Sequence, residues 1–403
     1  VFMRKKRIAM IVPSLWNGGA EKVAADMSLY LSDAGYDVFF FLNQFDRKNS
    51  YHHKGREVVV MQEALWSTGN LCRQICQYQK WAWIYRKYKR QYQIDISISF
   101  MVPENFINVL SDIGDRKILT FHSVTSQVAN YYGQVFVKPY ILKMMCIKAT
   151  NVVSVSKYVK RDLENLVGKR GKKIEVIYNS IDERSLKKIT EESIAVRQCE
   201  DIILYVGRLD DEKRPWIIVR VMQEVIRRHK NAKLLMLGRG ENWHVLKRLI
   251  DKFNLEKHVE LLGFVNNVAQ YMVCAKMIVF CSEAEACPCA MLEAIAVGLP
   301  IVTVDCPGGI REIISSDRRG YLKPCKKNEV LECGIVTPPI STQKNNIGRK
   351  KLCQEEKMLA QGVCMLLEND NLCNCLGRNA KEYAQRFSKE RIRKEWLALL
   401  EKI

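Results

Sequence analysis

Short apolar runs of strand length alternate with helical patterns along this chain, and the alternation is interrupted once and then restarts. RIAMIV, DVFFFL, VVVM, IDISISF, KILTFH, NVVSVS and KIEVIYN form the first series; IILYVGRL, KLLMLG, VELLGF, MIVFCS and PIVTVD form the second. Near-continuous apolar strands separated by helix-length segments predict βαβ units around parallel sheets. Two such series in 403 residues exceed one ordinary core. The chain is therefore predicted to be α/β, with two domains at residues 1–183 and 201–378. Residues 184–200 (RSLKKITEESIAVRQCE) are polar, lack a sustained apolar face and read as the linker. Two parallel sheets in tandem predict a cleft at the carboxyl ends of their strands. Residues 379–403 are predicted helical, with Tyr383, Phe387, Ile392, Trp396 and Leu399 or Leu400 on one apolar face.

Composition narrows the partners. The formal charge is +20, denser in residues 1–183, which carry 27 Lys and Arg against 16 Asp and Glu. Such an excess admits nucleic acid, anionic membrane or phosphorylated substrates. No zinc-finger spacing, RNP-like aromatic box or clear helix-turn-helix accompanies it, so nucleic acid ranks below membrane and phosphate. No apolar run reaches the roughly 20 residues of a membrane span, and VFMRKKRIAMIV is too short in apolar residues for a signal peptide. The expectation is a cytoplasmic protein, soluble or peripheral on the inner face of the membrane. The odd number of cysteines, 15, with several in apolar runs, argues for reduced thiols packed as small hydrophobes. Cys287 with Cys289, or Cys373 with Cys375, lack the usual metal-ligand spacing and no histidine stands close, so no metal is expected.

The segment EACPCAMLE places Glu285 and Glu293, separated by seven residues, between a strand and an apolar helix. One carboxylate would close the strand and the second would sit on the first turn of the helix, whose N-terminus favours phosphate. Carboxylates accept hydrogen bonds from sugar hydroxyls, so the pair suggests a nucleotide-sugar site. In PSLWNGGAEKV, Gly18 and Gly19 stand at a helix entrance, where backbone amides can approach a phosphate or simply make a tight βα turn. His122, ending ILTFHSV, is one of six histidines; alone, such a residue is more often structural than catalytic. YVGRLDDEKRP sets Arg208 and Lys213 on either side of a turn. Converging cations there would stabilise a departing diphosphate, although two cations in so basic a chain are commonly solvated surface.

Taken in order, GGAEKV, GRLDDEK, LGRGE, LLGFVNN and EACPCAMLE followed by GLPIVTVDCPGGIREII resemble the motifs of family-four glycosyltransferases of the GT-B fold, with their E-x7-E signature. The resemblance covers most of the chain and is strongest from Ile202 to Ile314. It implies two Rossmann-like domains facing across a cleft, an acceptor-binding first domain, a donor-binding second domain and a C-terminal helix crossing back to the first. It further implies that Gly18 and Gly19 border the diphosphate and acceptor, and that His122 reaches the transferred sugar. Arg208 and Lys213 would hold the leaving diphosphate. Phe264 or Val265 would face uracil, amides near Cys289, Ala290 and Met291 would face sugar and diphosphate, Glu285 would position the sugar and Glu293 would bind the ribose. Polar residues Ser154, Ser156, Asn179 and Asp182 serve for alignment only. The common EGFPxxxLEA form is altered here by Ala286 and Cys287, which leaves the sugar open.

The activity implied is a retaining, metal-independent and cofactor-free transfer of a hexose or N-acetylhexosamine from a nucleotide diphosphate sugar, UDP-linked, to a hydroxyl. The acceptor would be lipid-linked or polysaccharide, as in bacterial O-antigen, capsule and lipid-linked oligosaccharide assembly. The rivals are a GT-B sugar-nucleotide epimerase or phosphorylase, and a non-catalytic membrane- or nucleic-acid-binding protein. LCRQICQYQKWAWIYRKYKRQY (Leu71 to Tyr92), basic and aromatic, is a helix for either core packing or an anionic bilayer, with Lys87, Lys89 and Arg90 as its expected surface cations. The Tyr131 to Lys148 segment reads as a second such helix.

Overall fold

The computed structural model describes residues 4–16, 18–43, 51–60, 71–132, 138–168, 174–182, 201–265, 267–316, 323–341 and 344–403. The linker 184–200 lies outside them. The chain forms two compact units, one comprising Val1–Asn179 with Glu390–Ile403 and the other Ser180–Lys389.

In the first unit the elements run β1 (Arg7–Val12), α1 (Gly19–Asp33), β2 (Asp37–Leu42), β3 (Arg56–Val59), α2 (Leu71–Gln91), β4 (Ile96–Ser99) and α3 (Val102–Leu110). They continue with β5 (Arg116–Phe121), α4 (Thr125–Tyr132), α5 (Pro139–Lys148), β6 (Asn151–Ser154), α6 (Lys157–Val167) and β7 (Ile174–Val176). The sheet order is β3-β2-β1-β4-β5-β6-β7, and every pairing is parallel. Strands buried on both faces explain the unbroken apolar runs of the sequence. Strand order reverses between β1 and β4, which makes the carboxyl ends of those two strands the switch point where open α/β sheets hold ligands. The Tyr131 to Lys148 segment is not one helix: Tyr132 ends α4, and α5 opens separately at Pro139, suited to a first helical turn by its fixed φ and missing amide proton.

Helix α2 has two faces, and they correct one expectation. Tyr78, Trp81, Ala82, Tyr85 and Lys89 are buried, whereas Lys80, Trp83, Lys87 and Arg90 are exposed. Lys89 is therefore not a surface cation. Its Nζ lies 2.9 Å from Asp115 Oδ2 and 2.7 Å from Asn108 Oδ1, with neither Lys89 nor Asp115 side chain exposed. Burial lowers its pKa to about 8 against the opposing pull of Asp115. The helical repeat turns residue 89 inward beside 78, 81, 82 and 85, and a buried carboxylate then supplies the partner the ammonium requires.

The second unit contains β8 (Ile202–Val206), α7 (Trp216–Arg228), β9 (Lys233–Leu237), α8 (Trp243–Phe253), β10 (Val259–Gly263), α9 (Val268–Cys274), β11 (Met277–Phe280) and α10 (Cys289–Val297). Then follow β12 (Ile301–Val304), α11 (Ile310–Ile314), β13 (Glu329–Leu331), β14 (Gly334–Thr337), α12 (Gln354–Glu368) and α13 (Asp370–Ala384). The order β10-β9-β8-β11-β12-β14-β13 repeats the plan of the first sheet, with its switch point between β8 and β11. One departure is the short β13, antiparallel to β14, a hairpin absent from the sequence reading. Buried Arg220 ties α7 to α12 through paired bonds to Glu356 (2.6 and 3.0 Å), and it also donates to the carbonyls of Ile347, Arg349 and Lys351.

The expected boundary at residue 379 falls inside α13. Leu376, Ala380 and Ala384 are buried there, Asn379 donates to Glu332 O (2.9 Å), and Tyr383 donates its hydroxyl to Glu332 Oε1 (3.0 Å). Tyr383 and Phe387 thus belong to the second unit. The crossing helix is α14 (Lys389–Glu401), whose Ile392, Trp396, Leu399 and Leu400 join the first unit's core with Ile8, Met10, Ile96 and Ile177.

Candidate active site

The second unit's site is built from the loops that leave β8 and β11, the two strands flanking its switch point. After β8 the chain turns through Arg208 to Lys213. Tyr205 Oη donates to the Arg208 carbonyl (3.0 Å), and the Lys213 amide donates to Asp210 Oδ1 (2.9 Å). After β11, the Glu283 amide donates to the Glu212 carbonyl (2.8 Å), so the two loops are joined through their backbones. The Glu285 backbone bridges to Gly308: its amide donates to Pro307 O (3.0 Å), and its carbonyl accepts from Gly309 N (2.8 Å). Gly308 has φ +140, and a Cβ there would lie 1.7 Å from the Glu285 carbonyl oxygen. Only glycine tolerates both the backbone angle and that approach.

These loops bring three of the sequence-predicted residues together. Lys213 Nζ is 2.8 Å from Glu285 Oε1, with side-chain exposures of 18% and 7%, and Ser282 Oγ donates to the same oxygen at 2.6 Å. Arg208 is gripped by Asp210 (2.9 Å) and Glu212 (2.8 Å). Burial opposes the charge on Lys213, but Glu285 and Glu212 outweigh it and its pKa is raised. Arg208 follows the same balance, with Asp210, Glu212 and Glu285 exceeding the burial cost. Both cations are thus held charged near one buried carboxylate. Asp210, Glu212 and Ser282 were missed in the sequence reading. Their signal was the acidic DDE run inside the GRLDDEK motif and the serine three residues before Glu285.

Helix α10 begins at Cys289, four residues after Glu285, with Pro288 as its N-cap. Cys289 and Ala290, partly buried, occupy its first two positions. Met291 departs from expectation: its side chain is buried, and its amide donates to Pro288 O at 3.1 Å, so that amide is committed within the turn. Glu293 is the fifth helical residue, one step past the first turn where it was expected, and is partly buried. After β10, Phe264 is 45% exposed with the Arg239 guanidinium 5.5 Å from its ring centroid, and Val265 is partly buried. The guanidinium over the exposed ring is a cation–π contact. Among the described residues, the one trio able to offer metal-ligand atoms within reach of one another is His229, Cys364 and Glu368, away from these loops.

The first unit carries the other predicted residues. Gly18 is the extended N-cap of α1, and Gly19 is its first residue. A Cβ on Gly18 would meet the Glu21 carboxylate at 1.9 Å, so that side chain folds back over the turn. His122 stacks on Phe100, with centroids 5.5 Å apart, and its Nε2 lies 3.0 Å from Thr120 Oγ1. Because the Thr120 hydroxyl donates to Ser99 O (2.7 Å), the imidazole must donate from Nε2. That leaves Nδ1 as a bare acceptor, and it has no hydrogen-bond partner. Burial lowers the His122 pKa to about 3, which keeps the ring neutral.

Two family models match the chain in succession: "Glycosyltransferase Family 4" over residues 17–185 and "Glycosyl transferases group 1" over 187–336. The chain belongs to the family-four glycosyltransferases of the GT-B fold. An uncharacterized glycosyltransferase of Methanocaldococcus jannaschii is 32% identical over 57% of this chain, a match spanning 55% of that protein's length. A Campylobacter jejuni enzyme is 27% identical over 98% of this chain and 99% of its own. It is the N-acetylgalactosamine-N,N'-diacetylbacillosaminyl-diphospho-undecaprenol 4-alpha-N-acetylgalactosaminyltransferase. Among solved structures, Anabaena HepE in complex with UDP and glucose superposes with a TM-score of 0.71 at 16% identity, covering 98% of this chain and 99% of that one. The protein is accordingly a glycosyltransferase, and its fold is the one the motifs implied.

Proposed function

We propose that this glycosyltransferase moves a hexose or N-acetylhexosamine from a UDP-linked donor, with retention of configuration, to a hydroxyl of a lipid-linked or polysaccharide acceptor in surface glycan assembly. The observation that carries the reading is the Arg208, Lys213 and Glu285 cluster, with α10 beginning four residues after Glu285. Two held cations and a helix N-terminus form an anion site suited to a diphosphate. On diphosphate binding, Lys213 and Arg208 would exchange some of their contacts with Glu285, Asp210 and Glu212 for phosphate oxygens.

In the step proposed, the bond from the anomeric carbon to the β-phosphate oxygen breaks while the acceptor oxygen bonds to the same face of that carbon. The acceptor proton passes to the departing phosphate oxygen, and UDP leaves with its charge stabilised by Arg208 and Lys213. With cations in that position, no divalent metal is required. Glu285 positions the sugar, Glu293 binds the ribose, Phe264 or Val265 meets the uracil, and His122 accepts from a hydroxyl of the transferred sugar. The UDP complex of HepE and the diphospho-undecaprenol acceptor of the Campylobacter enzyme support the choice of donor and acceptor classes. The exposed face of α2, Lys80, Trp83, Lys87 and Arg90, suits approach to an anionic membrane surface.

A saturation-transfer binding screen of nucleotide sugars in excess chelator tests the donor. UDP-sugars should bind best and without metal. Preference for another nucleotide, or strict dependence on a divalent ion, would sink that part of the reading.

A further inference from the structure

Four neighbouring strands of the first sheet, β2, β1, β4 and β5, are each followed at their carboxyl ends by a buried polar atom that has no hydrogen-bond partner. These are Asn43 Nδ2, Trp16 Nε1, Glu104 Oε2 and His122 Nδ1. The described residues hold fourteen such atoms, and these four are the ones that fall together at the carboxyl ends of adjacent strands, around the switch point where open α/β sheets hold ligands. Glu104 is the most demanding: it is 3% exposed and stands in the first turn of α3, directly after β4. Tyr85, whose hydroxyl donates to Asn43 Oδ1 at 2.5 Å, lies within electrostatic reach of Glu104, as does Glu21, the side chain folded over Gly18. The Gly18 turn after β1 and the start of α3 after β4 thus bring two carboxyl groups within electrostatic reach of each other.

We infer that Glu104 is an acceptor-positioning residue, whose unpaired Oε2 takes up a hydrogen bond with a hydroxyl or N-acetyl group of the acceptor sugar at the β1/β4 switch point. The inference rests on the proposed function, since it names a residue for that reaction's second substrate. Burial, reinforced by Glu21 and opposed by its own backbone amide, raises the Glu104 pKa to about 8, so the acid holds its proton near neutral pH. A neutral acid both donates and accepts, as sugar recognition needs. The unpaired Asn43 Nδ2 adds a donor on one side. Keeping Glu104 Oε2 unpaired sacrifices stability for a contact made only with ligand.

The test compares Glu104→Gln with Glu104→Leu in the full chain. The probe is a short-chain polyprenyl diphosphate bearing one N-acetylgalactosamine, read by saturation-transfer binding and by steady-state transfer from UDP-sugars. Gln keeps a donor and an acceptor, and its acceptor KM should stay within about threefold of the parent. Leu should raise acceptor KM at least tenfold while UDP affinity is unchanged and the melting temperature is not lowered. An unchanged acceptor KM in the Leu variant overturns the inference and leaves the transferase reading intact, as does a Leu variant that simply melts earlier with acceptor and UDP affinity falling together. A parent that neither binds the probe nor transfers any sugar to it overturns the inference together with the acceptor class proposed above.

Discussion

Replacing Lys213 with Ala removes the cation that, among the described residues, pairs directly with the buried Glu285 carboxylate, at 2.8 Å. Ser282 remains as a hydrogen-bond donor, but a hydroxyl does not compensate a full charge. Removing one partner of a buried pair costs about 3–5 kcal/mol, and the 18% exposure of Lys213 places this case at the lower end, about 3 kcal/mol. For a unit of this size that corresponds to a melting shift of about 6–12 °C. The same substitution should lower turnover by at least about a hundredfold, the loss expected when one charged donor to a leaving group is deleted. The two effects separate in the double variant Lys213→Ala with Glu285→Gln. Neutralising the orphaned carboxylate should restore most of the melting temperature and none of the turnover. Scanning calorimetry and donor-saturated assays on the parent, the single and the double variant decide it. If the single variant melts with the parent, or the double recovers activity along with stability, the pairing drawn here between Lys213 and Glu285 is wrong.

Other outcomes follow from the same geometry. Glu293→Ala should weaken UDP affinity by about 1.5–3 kcal/mol through lost ribose hydrogen bonds, and Glu285→Gln should chiefly reduce transfer; titration calorimetry with UDP separates the two. Because the folded pKa of Glu104 is raised to about 8, its stabilising protonation is complete below the unfolded carboxyl value of about 4.3 and is lost as pH rises towards 8. The melting temperature of Glu104→Gln relative to the parent should therefore climb between pH 5 and 8, and a flat difference would show that the carboxyl titrates normally. Changing exposed Lys87 and Arg90 to Gln, with Lys89 left in its buried pair, should weaken binding to anionic vesicles about tenfold and leave UDP affinity unchanged. Vesicle binding equal to the parent would make the outer face of α2 ordinary surface.

The doubly repeated strand pattern revealed both sheets because parallel strands covered on both faces must be apolar along their whole length. The same reasoning missed the β13 and β14 hairpin: β13 has only three residues, mostly exposed, and Gly334 starts β14 where a strand former would be expected. Arg208, Lys213 and Glu285 could be named because their motif spacing is local. What stayed hidden was the meeting of Lys213 with Glu285, which lie far apart in sequence and pair only when the loops after β8 and β11 are joined. Lys89 illustrates the opposite failure. Composition marks it as one more surface cation in a basic segment, and only helical phase together with Asp115, distant in sequence, places it inside. Glu104 went unremarked because a single glutamate in a helical stretch carries no signal until its burial and its unpaired oxygen are seen.

The most direct test of the central claim is a proton NMR time course with UDP-linked α-hexose or α-N-acetylhexosamine, the polyprenyl diphosphate probe and excess chelator. The account predicts UDP released in step with a new α-glycosidic anomeric signal, with both lost in Arg208→Ala. A β-linked product, an epimerised nucleotide sugar without transfer, or turnover that appears only when a divalent ion is restored would contradict it.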